Sequence, residues 1–421
     1  MTLQQETIES SPSTAAQEKN PAGSSHAPTR RAQILLVIAL FLVGINLRPA
    51  LSSVAAILEA IRAATGMSSA LAGVLTTLPA LCFGVFAPLA PRLASRFMPE
   101  RIVLYGLLVL ALGIGMRIFF GIPGLFAGTL LAGGSIGVVM VLLPGIIKRD
   151  FPHRLGLMTG LYTMALCLGA ALAAGMTVPI QHLGQNDWRP ALAFWALPAL
   201  LAAWVWWPQL RHPSRHDRHG HHVVRGLYSN VLAWQVTGFM GLQSALAYCV
   251  FGWLPTILID RGMTPLDAGL VLSLSIGFQL TTALGGPWLA TRGRDQRGAI
   301  AAMLGLTIVG LLGCVYAPLG GVWWWAVLLG LGQGGAFSVA LTLIVLRARN
   351  PQVTASLSGM AQGVGYTVAA LGPLSVGILH DLSHGWHSSV LLFIVLFVGA
   401  LAVGLGAGRN LYVEVQVERV D

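Results

Sequence analysis

An arginine stands in the middle of an apolar run, Leu40-Phe41-Leu42-Val43-Gly44-Ile45-Asn46-Leu47-Arg48-Pro49-Ala50, and apolar sequence continues to Leu58. Burying such a charge at the centre of a bilayer costs at least about 2.5–3.5 kcal/mol, so Arg48 is expected to face a polar cavity. Its planar fork of donors suits carboxylate, nitro and other oxygen-bearing groups. The competing reading is structural, with Arg48 paired to helix carbonyls or to a carboxylate. The nearest acid on this segment is Glu59, about three helical turns further on. Pro49 removes a backbone N–H beside the arginine and bends the chain there. Asn46 belongs to the same short stretch, and Ser52 and Glu59 lie at i+4 and i+11 from Arg48, on roughly one face.

Other polar or aromatic residues interrupt apolar segments further along: Tyr162, Gln243, Tyr248, Gln279, Gln333, Phe337, Gln362 and Tyr366. A buried amide or phenol needs a partner, so these residues are expected to face the protein interior. Hydrogen bonding between helices is the plain explanation and substrate contact the functional one. The candidate substrate-binding set is Arg48, Asn46, Ser52, Tyr162, Gln243, Gln279, Gln333, Phe337, Gln362 and Tyr366. For proton coupling or gating the candidates are Glu59, Asp267 and His380. No catalytic residue and no cofactor is expected, because the deep segments hold no carboxylate pair, metal cluster or Ser/His/Asp set.

The elements that must position these residues are membrane helices. Of 421 residues, 55% are hydrophobic and 10% charged, against about 25% charged in a soluble domain. Twelve segments approach the roughly 20 apolar residues that a bilayer span requires. They run near 33–57, 69–90, 102–120, 123–147, 155–180, 190–207, 231–258, 266–290, 299–317, 322–346, 354–379 and 388–408. The division that follows is a tail 1–32, a first six-helix half 33–207, a His-rich linker 208–230, a second half 231–408 and a tail 409–421. The runs Leu131–Gly137 and Gly330–Gly335 lack the strand and loop of a phosphate cradle and are read as close helix packing.

Charge position excludes a nucleic-acid reading of the net +10. Alternate connections hold Arg92, Arg96, Arg101, Lys148, Arg149, Arg154, Arg211, Arg215, Arg218, Arg225, Arg292, Arg294, Arg297, Arg347 and Arg349. The opposite set holds only Arg62, Arg117, Arg189 and Arg261. Basic residues stay on the cytoplasmic side, so both termini are expected in the cytoplasm of a bacterium whose inner membrane carries the chain. Residues 1–29 are polar, without an apolar core, and read as a disordered cytoplasmic tail. His212, His216, His219, His221 and His222 in the linker have no accompanying cysteine or clustered acid and are read as solvated rather than metal-binding. Cys82, Cys167, Cys249 and Cys314 sit in apolar stretches as small buried hydrophobes.

The two halves match each other. Gly66-Met67-Ser68-Ser69-Ala70-Leu71-Ala72-Gly73 parallels Gly262-Met263-Thr264-Pro265-Leu266-Asp267-Ala268-Gly269, and Arg96 and Arg101 fall opposite Arg292 and Arg297. Leu157–Gly160 parallels Ser356–Gly359, with Pro152 opposite Pro351. Parallel repeats imply a substrate site at their interface.

With twelve helices in two halves and the basic loop Ala87-Pro88-Leu89-Ala90-Pro91-Arg92-Leu93-Ala94-Ser95-Arg96, the chain resembles the major facilitator superfamily. In that loop Pro91 stands where the family has an acid and Ala94 where it has a second glycine; Thr291 replaces the acid in the second half. More narrowly, Asn46-Leu47-Arg48-Pro49 resembles the cyanate permease and 2-nitroimidazole transporter branch. The resemblance implies an all-α, pseudo-symmetric fold and a secondary transporter working by alternating access. Its expected cargo is a small anion or nitro-bearing solute bound at Arg48, with protons as a candidate coupling partner and the lipid bilayer as surroundings. The protein is expected to act as a monomer, without nucleic acid. Efflux of neutral drugs and a non-transporting membrane sensor are the alternative functions.

Overall fold

The computed structural model describes residues 30–211, 221–383 and 385–420. The first half is built from α1 (Arg30–Asn46), α2 (Pro49–Ala56), α3 (Leu58–Thr65), α4 (Ser69–Phe86), α5 (Leu89–Ala94), α6 (Pro99–Met116), α7 (Gly121–Asp150), α8 (Leu155–Leu183), α9 (Trp188–Ala193) and α10 (Ala196–Trp206). The second is built from α11 (Val231–Asp260), α12 (Pro265–Arg292), α13 (Arg297–Tyr316), α14 (Val322–Arg347), α15 (Pro351–Ser383) and α16 (His387–Ala407). Among the described residues, eleven segments are long and apolar enough to cross a membrane. The segment expected at 69–90 is α4, whose apolar part Val74–Phe86 is shorter than those eleven.

Two expected spans are broken. The first, drawn as one helix over 33–57, stops at Asn46 and restarts at Pro49. Pro49 cannot donate to the Ile45 carbonyl, and it disfavours helical geometry in the residue before it. Arg48 nevertheless keeps a right-handed backbone, at φ −116°, ψ −29°, and the Leu47 N–H turns back to the Gly44 carbonyl at 3.2 Å. The sixth span, drawn over 190–207, is divided between α9 and α10.

Each half packs around one central helix. α7 is buried against α4 and α6, and α14 against α12 and α13. Their glycines make this possible: a Cβ at Gly330 would lie 2.1 Å from the Ser275 carbonyl oxygen of α12. The halves meet along α8–α12, α4–α15 and α7–α15. Gly160 lets α8 reach α12, where a Cβ would stand 2.7 Å from the Leu284 carbonyl oxygen. Near the end where α7 and α14 finish, Lys148 Nζ donates across the halves to the Val345 carbonyl at 2.9 Å.

At that end the linker and the C-terminal segment meet. β1 (His221–Arg225) and β2 (Gln416–Val420) pair antiparallel, with Val223 opposite Glu418, and Arg225 bridges to Glu418 at 3.1 Å. This small sheet adds to the expected boundaries of linker and tail a contact that the sequence reading did not contain. His212, His216 and His219 lie outside the described residues, as do the side chains of His221 and His222.

Three arginines counted among the loops are held by the fold. Arg117 is buried and donates from Nη1 to the Ala50 carbonyl at 2.7 Å. Arg347 is buried and bonds Gln296 and the carbonyls of Ala407 and Gly408. Arg261 bonds the carbonyls of Cys314 and Ala317. The carbonyls that Arg261 and Arg347 bond lie at the C-terminal ends of α13 and α16, where intrahelical donors are lacking.

Candidate functional site

Arg48 projects from the gap between α1 and α2, and both halves surround it. Its electrostatic neighbours are Tyr248 of α11, Tyr366 of α15, and Cys167 and Tyr162 of α8. The guanidinium carbon lies 5.6 Å from the centre of the Phe337 ring on α14. Of these groups Tyr248 interacts most strongly with the arginine. Among the described residues no ion pair includes Arg48. Despite this enclosure the side chain keeps partial exposure, as expected of a group lining an internal cavity.

The walls are aromatic. Tyr248 and Tyr366 stack with centroids 6.4 Å apart and planes 25° apart, and Phe83 of α4 closes on Tyr366 at 5.6 Å. The hydroxyls of Tyr162 and Tyr366 are buried and, among the described residues, have no hydrogen-bond partner. Leaving such a group unpaired costs about 1–3 kcal/mol, so both are ready to bond a bound solute. Two glutamine arrangements extend the polar lining. Gln279 Nε2 donates to Gln333 Oε1 at 3.3 Å, which leaves Gln333 Nε2 unpartnered one turn from Phe337. Gln362 Nε2 donates to Ser358 Oγ at 2.7 Å and across the halves to the Met140 carbonyl at 3.2 Å. Its Oε1 is unpartnered one turn from Tyr366.

The remaining candidates divide by position. Asn46 turns its amide back to the Leu42 carbonyl of its own helix at 2.8 Å. Ser52 donates its backbone N–H to the Arg48 carbonyl at 3.2 Å and so continues the restarted helix. Gln243 spends its amide N–H groups locally, on the Met240 carbonyl at 3.1 Å and Ser244 Oγ at 2.7 Å. Asp267 accepts from Thr264 Oγ1 at 2.7 Å while Thr264 accepts from the Asp267 N–H at 3.1 Å, an arrangement that caps α12. It lies twelve residues from Gln279, about 18 Å along the helix. His380 stacks on Trp386 at 4.1 Å, fourteen residues and about 21 Å from Tyr366. Asp267 and His380 thus stand well away from the arginine. The Glu59 side chain lies outside the described residues.

Phe83 and Cys167 were absent from the sequence-derived set. Nothing in an apolar helix distinguishes a phenylalanine or cysteine that faces a cavity from one that packs.

The comparisons with known proteins agree with this architecture. Residues 34–373 match the family model described as Major Facilitator Superfamily. The chain is 40% identical to an uncharacterized transporter, YycB, of Bacillus subtilis (strain 168), covering 90% of this chain and 94% of that protein. It is 38% identical to the 2-nitroimidazole transporter of Escherichia coli (strain K12), covering 90% and 96%, and 32% identical to that organism's cyanate transport protein CynX, covering 88% and 96%. Among solved structures, the proton:xylose symporter XylE, bound to 6-bromo-6-deoxy-D-glucose, aligns at 12% identity with a TM-score of 0.72, over 88% of this chain and 94% of that one.

Proposed function

The chain belongs to the major facilitator superfamily, and from that premise we propose that it carries a small planar solute with oxygen acceptors, a carboxylate or nitro compound, bound at Arg48. It is a membrane transporter and not an enzyme. The observation that carries the substrate reading is the setting of Arg48: a guanidinium among ring faces, with, among the described residues, no acid paired to it and two phenol hydroxyls unpartnered nearby. Charged donors hold oxyanions and nitro oxygens strongly, and the stacked tyrosines offer apolar faces to a flat ring. The names of the nitroimidazole and cyanate relatives fit such a cargo.

The proposed cycle exposes this site to one side of the inner membrane and then to the other. In the present arrangement α8–α12 and Lys148–Val345 hold the halves together at the end bearing the basic turns. With both termini cytoplasmic that end is the inner one. Inward movement of a monovalent anion costs about 2.3 kcal/mol per 100 mV of inside-negative potential, and co-transport of a proton offsets it. A proton riding on the substrate serves as well as one on the protein.

A thermal-shift screen of purified protein against small carboxylates, cyanate and nitroheterocycles, followed by uptake of each hit into proteoliposomes, tests the reading. Stabilisation and uptake by planar oxygen-bearing compounds are expected, faster with an inward proton gradient. Binding confined to neutral drugs lacking such oxygens would establish the efflux alternative instead.

A further inference from the structure

A cavity of about 780 Å³ lies between the start of α1 and the turn joining α7 to α8, and Arg48 is not among the residues that line it. One side is apolar: Ile34, Val37 and Ile38 of α1 with Met158 of α8. Ile34 and Ile38 remain 50% and 45% exposed. The other side is the turn itself, Asp150 to Arg154. Its charges are unevenly satisfied. Asp150 is occupied by Arg149, which bonds it at 2.8 and 2.9 Å and reaches Glu100 at 2.6 Å. The side chains of His153 and Arg154 are exposed and, among the described residues, have no hydrogen-bond or ion-pair partner. The lip of the groove therefore presents the Arg154 guanidinium beside the His153 imidazole, with Asp150 engaged by Arg149, while its wall is apolar.

Position selects the occupant. The groove lies where an apolar helix emerges beside a polar turn, at the level of lipid headgroups, and at the end of the bundle that carries the excess of basic turns. We propose that it binds an anionic phospholipid, with the headgroup phosphate on Arg154 and His153 and an acyl chain along Ile34 and Ile38. Basic pockets beside membrane helices on the cytoplasmic side hold anionic headgroups by this combination of charge and apolar contact. The proposal is independent of the substrate assigned to Arg48.

The full chain is reconstituted in vesicles of equal phosphatidylglycerol and phosphatidylethanolamine, gently extracted, and its retained lipid weighed by native mass spectrometry. Preferential retention of phosphatidylglycerol is expected. Replacing both side chains (His153→Gln with Arg154→Gln) should lower that preference about fivefold or more. Ile38→Glu on the apolar wall should lower it too, and Arg294→Gln, in a basic turn that does not line the groove, should leave it unchanged. Equal loss in the Arg294 variant would reduce the effect to diffuse charge and overturn the site. So would an unchanged preference in the double variant, or displacement of the lipid by inorganic phosphate alone. All these residues are surface-exposed, and melting temperatures of the variants verify that each is folded.

Discussion

Arg48 is the residue on which the transport reading turns. A guanidinium so placed lies against the Phe337 ring with Tyr248 beside it, and it offers a substrate contacts that a compact ammonium cannot copy. Arg48→Ala is expected to lower affinity for a hit from the ligand screen by about 1.5–3 kcal/mol, the usual worth of hydrogen bonds to a charged group. Arg48→Lys should lose most of that affinity as well. Melting temperatures of both variants should stay near that of the parent protein. A purely structural arginine gives the opposite pattern, a loss of folded protein with normal binding in whatever folds. Dissociation constant and melting temperature, measured on the same preparations, separate the two. Arg48 was legible in the sequence because charge in an apolar run is conspicuous. Asn46 and Gln243 were equally conspicuous, yet their amides are spent on nearby backbone and side-chain groups of their own helices.

At the scale of elements, Pro49 opens α1–α2 at the residue that must face the cavity, and glycines let the long helices approach closely. Gly330 and Gly175 make the second point testable. A methyl group at Gly330 would collide with the Ser275 backbone, whereas one at Gly175 would meet nothing within 4 Å. Gly330→Ala should therefore destabilise by about 1–3 kcal/mol through overpacking. Gly175→Ala should be neutral or slightly stabilising, because alanine is the better helix former. Thermal unfolding of both variants in one detergent decides it; equal melting temperatures would remove the close-packing account of α12 and α14. The small sheet between β1 and β2 had no such signature. Five residues of ordinary composition become strands only because the end of the chain lies beside them.

The whole molecule is two similar halves closed on each other at one end. Its orientation is argued from basic residues, and the bias survives when Arg117, Arg261 and Arg347 are set aside as groups held on backbone carbonyls. Single cysteines at Gln185 and Arg294, in a background free of the four native cysteines, should react with an impermeant maleimide from opposite faces of the membrane. Gln185 should react in intact spheroplasts and Arg294 only after permeabilisation. Reaction of both from one face would overturn the arrangement of spans.

Hydropathy, charge asymmetry and the repeat determined the membrane class, the two halves and the depth of Arg48, because each depends on transfer free energy or local backbone chemistry that a single segment carries by itself. Only the tertiary structure decided which polar residues share the cavity. Arg48 meets Phe337, Tyr248 and Tyr366 from the other half of the chain, and that meeting depends on how helices rotate and cross. Asp267 and His380 showed the same chemical promise in the sequence, but the fold puts one in a helix cap and the other in a stack of rings far along α15. A side chain's partners are set by the direction it faces after packing, and a linear sequence of apolar helices specifies that direction only through the sum of all its contacts.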